Sequence, residues 1–213
     1  MMTPARKHFL RETAISVTDA APLSRMEAGT YHLMLRKLAE DKRSLARLQG
    51  SDRRNAFKRK VLPDYAPWVE GVLLSDKGTQ DDVLVMVMIW LIDIGEPGAA
   101  LPLAAYALRH HLTVPDYDRQ TATIIAEEIA NAALTQHSLS QPLELPVLQQ
   151  TLELTSAHDM PDEARAKLLK ALGYALEQAG RQRQAVTAFE QALRLNQRAG
   201  VKKDITRLNK VDT

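Results

Sequence analysis

TQDDVLVMVMIWLIDIG, Thr79 to Gly95, is the stretch on which the fold turns. Its core, Val83 to Ile92, is the longest apolar run of the chain and is closed by Asp82 and Asp93. Ten residues of helix span about 15 Å, roughly half of a bilayer's hydrocarbon core. The run is therefore read as a helix buried on nearly all sides, not as a membrane span. Thr79-Gln-Asp-Asp82 resembles a capping box with Asp82 in the third helical position, and Gly95 stops the helix.

Helix signals continue on both sides, and no convincing alternation of apolar and polar residues marks a strand. Thr3-Pro4 can open a short helix. A longer one is expected from about Arg25 to Leu48, stopping at Gly50. Ser51 caps another through Leu62, which Pro63 ends. Glu96-Pro97 starts a helix reaching about His111, before Pro115. Further helices are expected from about Tyr117 to His137, after Pro146, from Asp159-Pro161 to Gly180, onward to Gly200, and over Val201 to Val211. The class is all-α.

The 213 residues include 28 Lys+Arg and 26 Asp+Glu, a formal +2 that hides an asymmetry. Residues 1–60 hold 14 basic and 6 acidic side chains, net +8, and residues 61–213 hold 14 and 20, net −6. Each proline of Leu62-Pro-Asp-Tyr-Ala-Pro67 disfavours helix in the residue before it. This stretch is read as a hinge between a basic helical arm, residues 1–62, and a body of αα-hairpins, residues 63–213. Such asymmetry hints at contact of the arm with nucleic acid or a membrane.

From Arg36 to Lys60 come ten basic residues: Arg36, Lys37, Lys42, Arg43, Arg47, Arg53, Arg54, Lys58, Arg59 and Lys60. At 100° per residue, Arg36, Arg43 and Arg47 fall within about 20° of one line. Tyr31, Met34, Leu38 and Leu45 cluster on the opposite side. One face packs against apolar surface and the other offers an arginine stripe, which suits contacts with successive phosphates of nucleic acid. A solvated face is the plainer account of a charge run, but such faces normally mix signs. Membrane-surface binding competes less well, because the apolar side lacks Trp and Phe. No helix-turn-helix signature separates base readers from phosphate contacts.

Leu169 to Asn196 places Leu172, Gly173, Gly180, Ala185, Phe189 and Ala192 at the offsets of a tetratricopeptide hairpin. Ile94 to Leu108 aligns with it partially at an offset of 85, with Ala104 where Phe189 stands. A concave surface for a partner peptide is one reading. An ordinary packed αα-hairpin is the favoured one, since a solenoid needs at least three repeats.

The chain has no cysteine, which excludes disulfides, thiolate metal sites and cysteine nucleophiles. It lacks a GxxxxGK[ST] loop and an HExxH pair. Its histidines (His8, His32, His110, His111, His137 and His158) share no ligand spacing, so no metal site is assigned. With Asp93 and Glu96 downstream, the strongest acidic candidates, weak as catalytic ones, are Asp81 and Asp82, and Mg²⁺ is required only if they cut DNA. Their side chains diverge by about 100°, and capping a helix start explains them better. No cofactor is expected. The N-terminus has no apolar core of a signal peptide, so a cytoplasmic protein is expected.

Four long strings carry a resemblance: LPDYAPWVEGVL (Leu62–Leu73), KGTQDDVLVMVMIWLIDIGEPGAALPLAAYAL (Lys77–Leu108), LELTSAHDMPDEARAKL (Leu152–Leu168) and AGVKKDITRL (Ala199–Leu208). Through them the chain resembles the small terminase subunit family of peduovirus-type temperate tailed phages, also described as the terminase endonuclease subunit. The resemblance implies recognition of double-stranded viral DNA at the packaging site, in the host cytoplasm. It also implies a partnership with an ATP-driven large subunit and a ring-shaped homo-oligomer. It brings no established catalytic residue. The leading expectation is a DNA-binding, regulatory packaging subunit. The alternatives are a metal-dependent endonuclease and a helical protein-binding adaptor without a DNA role.

Overall fold

The computed structural model describes residues 2–17 and 25–210. Among these are eleven α-helices, one 3-10 turn and no strand, so the all-α expectation holds. The chain divides into two compact units, Met1–Asp116 and Tyr117–Thr213. The first contains α1 (Pro4–Val17), α2 (Arg25–Ala46), α3 (Ser51–Val61), a 3-10 turn (Leu62–Asp64), α4 (Ala66–Ser75), α5 (Asp82–Asp93) and α6 (Pro97–Arg109). The second contains α7 (Thr121–Ser138), α8 (Leu145–Thr155), α9 (Asp162–Gln178), α10 (Gln182–Leu195) and α11 (Lys202–Asn209).

Helix α5 is the core of the first unit. Every residue from Val83 to Trp90 is buried, as is Ile92, so this helix presents almost no polar face to solvent. Its cap differs from the expected one. Asp81, with extended backbone, is the N-cap, and its carboxylate accepts from the Leu84 amide at 2.8 Å. Asp82 is the first helical residue instead of the third. The preference follows from burial: Asp81 is 5% exposed and meets a second donor, Trp68, that an exposed Thr79 would not reach.

The stretch Leu62–Pro67 is not a linker. Leu62 keeps helical angles (φ −52°, ψ −41°) although Pro63 follows, and Tyr65 donates its amide to the Leu62 carbonyl at 2.9 Å. Leu62, Tyr65 and Pro67 are all buried. The bias against helix before proline is modest, and packing of three apolar side chains outweighs it. The boundary between compact units lies instead at Asp116–Tyr117.

Helices α1 and α2 pack onto this core. Leu10, Thr13 and Ala14 form the buried edge of α1. At Gly71 of α4 an added Cβ would sit 2.3 Å from the Arg11 carbonyl oxygen, so α1 and α4 touch backbone to backbone. Thr30, Met34, Leu38 and Leu45 of α2 are buried, and Tyr31 stacks on Trp68 with ring centroids 5.6 Å apart.

In the second unit α9 and α10 form the expected αα-hairpin. A Cβ at Gly173 would lie 2.4 Å from the Phe189 ring, so the glycine is what lets that fully buried ring fill the space between the helices. Tyr174 extends the aromatic layer: it stacks on His137 at 3.8 Å and meets Phe189 edge-on at 5.0 Å. Its hydroxyl donates to Asp204 of α11 at 3.2 Å. Burial first, then Asp204, pushes this tyrosine up to about 12. Gly95 and Gly180, equivalent in the partial internal alignment, both adopt left-handed backbone after a helix (φ 82° and 71°). Ala100 and Ala185 are fully buried, as are Ala107 and Ala192.

Candidate nucleic-acid interface

The amphipathic pattern of α2 puts Met34, Leu38 and Leu45 inside, so Arg36, Arg43 and Arg47 emerge on the exposed side. Arg36 and Arg43 are about 10 Å apart along α2, and Arg47 stands in the turn that follows it. On α3, Arg53 and Lys60 are seven residues apart, hence again within about 20° of one line, and both are exposed. None of these five cations has an ion pair or hydrogen-bond partner for its side chain among the described residues.

The other five are engaged. Lys37 pairs with Asp41 at 2.8 Å and Asp64 at 3.3 Å, and lies over the Tyr65 ring. Lys42 pairs with Asp116. Lys58, only 12% exposed at its side chain, pairs with Asp93 at 2.6 Å. Arg59 donates to the Ile94 carbonyl at 2.6 Å, and Arg54 to the Leu48 carbonyl at 2.8 Å. Lys42, Arg54 and Lys58 also line a hollow of about 270 Å³ with Met86 and Trp90 in its wall. Half of the basic run is thus engaged within the fold, and half stays exposed without side-chain partners among the described residues.

These pairs redistribute the charge. The acidic excess of residues 61–213 lies wholly within residues 61–116, which carry 2 basic and 8 acidic side chains. Residues 117–213 carry 12 of each. Asp64, Asp93 and Asp116 therefore neutralise part of the arm within its own unit, and the second unit has no net charge.

A network around Tyr65 holds α2 in place. The Tyr65 hydroxyl donates to Asp41 at 2.6 Å, and its ring meets Trp90 edge-on at 5.9 Å. Burial, then the Asp41 contact, raises this tyrosine well above the usual phenol range. On the other side of the core, the Asp82 amide donates to the Tyr31 hydroxyl at 3.2 Å. Burial, then the nearby Asp81, pushes Tyr31 up to about 12. None of these pairings shows in the sequence, because the partners lie 24 to 51 residues apart.

The acidic candidates are not poised around a cation. One Asp81 oxygen accepts from the Leu84 amide, and the other accepts from Trp68 Nε1 at 2.9 Å. Burial raises the Asp81 carboxyl above the usual range. Asp82 accepts from Gln80 at 2.8 Å. Among the described residues no group of three or more His, Asp or Glu side chains could hold a metal ion. Among them, too, no helix is long and apolar enough to cross a membrane.

The profile of the phage small terminase subunit family matches residues 35–163, from the arginine stripe to the start of α9. The terminase, endonuclease subunit, of Escherichia phage P2 is 42% identical over 99% of this chain and 85% of its own length. The probable terminase, endonuclease subunit, of Haemophilus phage HP1 is 29% identical over 71% of this chain, but only 59% of its own length is covered. No solved structure matches. With a family profile spanning most of the chain and a relative aligned nearly end to end, the chain belongs to the phage small terminase subunit family.

Proposed function

We propose that this protein binds double-stranded phage DNA through the exposed face of α2 and α3 and presents it to a large, ATP-driven terminase subunit for cutting and packaging. The observation that carries this reading is a set of five cations without partners among the described residues: Arg36 and Arg43 on α2, Arg47 in the turn just after it, and Arg53 and Lys60 on α3. Two lines of positive charge held by a packed scaffold fit phosphates, which accept sequence-independent contacts at regular spacing. The protein works as a homo-oligomer, a ring in the fullest form of this reading, in the cytoplasm of the host. No cofactor is needed for DNA binding.

The test is DNA binding and cleavage by the purified chain, alone and with a large subunit, across a salt series. Binding that weakens steeply with salt, with cleavage only when the large subunit is added, is the expected result. Absence of any DNA complex at low salt overturns the assignment and favours a protein-binding adaptor.

The name of the phage P2 relative supports a second reading, in which the chain itself is a metal-dependent endonuclease. Cleavage by the isolated chain with Mg²⁺, abolished by chelation, would establish it. The capping and Trp68 contacts of Asp81 argue that such activity would use other carboxylates.

A further inference from the structure

Behind α4 lies an apolar groove of about 550 Å³, walled by Leu62, Val69 and Leu73 on one side and Val87, Leu91 and Leu103 on the other. Its charged lining is Arg59, already bound to the Ile94 carbonyl, Glu70, already paired with Arg11, and Glu96. Glu96 is exposed, and its side chain has no ion-pair partner among the described residues. A groove of this kind selects an apolar anchor accompanied by positive charge.

The chain carries such an anchor. Among the described residues the exposed large apolar side chains are Phe9, Leu33, Leu74 and Leu139. Leu33 stands beside the arginine stripe, Leu74 adjoins the groove-lining Leu73, and Leu139 follows α7 in the other unit. Phe9, 46% exposed, is the one aromatic of the four. It lies on α1 with Arg6 one turn earlier, and the Arg6 guanidinium has no partner among the described residues.

Phe9 cannot reach the groove of its own protomer. On α1, Arg11 leans toward the groove and meets Glu70 at 3.6 Å. Phe9 is two residues away, about 200° around the helix, and so projects from the opposite flank. Anchor and receptor occupy different flanks of one unit. We propose that the groove receives the Arg6–Phe9 edge of α1 from a second copy of this chain, with Arg6 facing Glu96. With the two halves on different flanks of each copy, the proposed contact repeats head to tail, which closes into a ring or runs on as a filament.

This inference rests on the oligomeric reading above, and its test separates the two. Sedimentation velocity of the full chain over a concentration series reads the assembly state, with circular dichroism to confirm folding. Phe9→Ala should raise the protein concentration needed for assembly about tenfold to hundredfold, from the loss of a buried aromatic. Arg6→Glu alone, or Glu96→Arg alone, should weaken assembly, and the two together should restore it. Wild-type protein that stays monomeric throughout overturns the oligomeric reading itself. An oligomer that Phe9→Ala and the charge reversals leave unchanged overturns the groove assignment alone.

Discussion

Trp68 of α4 donates its indole N–H to Asp81 at 2.9 Å, and the same carboxylate caps α5 through the Leu84 amide. One buried acid thus ties two helices together and satisfies two donors that would otherwise be stranded away from water. Replacing it with alanine removes a cap and leaves the Trp68 N–H unpaired. Asp81→Ala is expected to cost about 2 to 4 kcal/mol, read from urea unfolding. Asp81→Asn, which keeps the acceptor for Leu84, should cost clearly less.

The same residue sets a pH dependence with a defined sign. Burial raises the Asp81 carboxyl in the folded state, so folding favours its protonated form. Its contribution is fully present below the ordinary carboxylate range and is lost as pH rises through the elevated value. Wild type measured against Asp81→Asn should therefore lose relative stability between the ordinary carboxylate range and the raised folded-state value. A difference that grows with pH would contradict the burial argument.

The division of the basic run into engaged and free cations makes a contrast testable. Arg36→Ala, Arg43→Ala and Arg47→Ala together should flatten the salt dependence of DNA binding by up to about 2.7 in log–log slope, at 0.9 per phosphate contact. Thermal stability should barely move. Lys58→Ala should do the reverse: it breaks the pair with Asp93, lowers the melting temperature and leaves the slope nearly intact.

Tyr65→Phe removes the hydroxyl that donates to Asp41 while keeping the ring against Trp90. A loss of about 1 to 2 kcal/mol is expected from a hydrogen bond to a charged acceptor, measured by chemical unfolding. Asp41→Asn, which also breaks the Lys37 pair, should cost more, and with Tyr65→Phe the two should be less than additive, because both weaken the same Tyr65–Asp41 hydrogen bond.

In the second unit, Gly173→Ala should destabilise by about 1 to 3 kcal/mol through overpacking against Phe189. Pairing it with Phe189→Leu, which withdraws the ring, should recover part of that loss. Equal effects of Gly173→Ala in both backgrounds would show that the close approach is not the cause.

Local physics was legible along the chain. Helical periodicity, the apolar run Val83–Ile92, the glycines after α5 and α9, and the amphipathic face of α2 depend on residues within a few turns of one another, so the sequence by itself determined the all-α class, most helices and the outward arginine stripe. Tertiary structure decided the rest, because it depends on residues far apart in sequence. Folding brought Asp93 to Lys58 and Asp116 to Lys42, separations of 35 and 74 residues, and so chose which cations stay free. It brought Trp68 to Asp81, giving an acid already read as a helix cap a second donor from another helix. It also turned an expected hinge at Leu62–Pro67 into core, since buried Leu62 and Tyr65 outweigh the local preference of proline. The contrast between a basic arm and an acidic body became a set of ion pairs inside one unit, for charge sums along a chain do not record which charges meet.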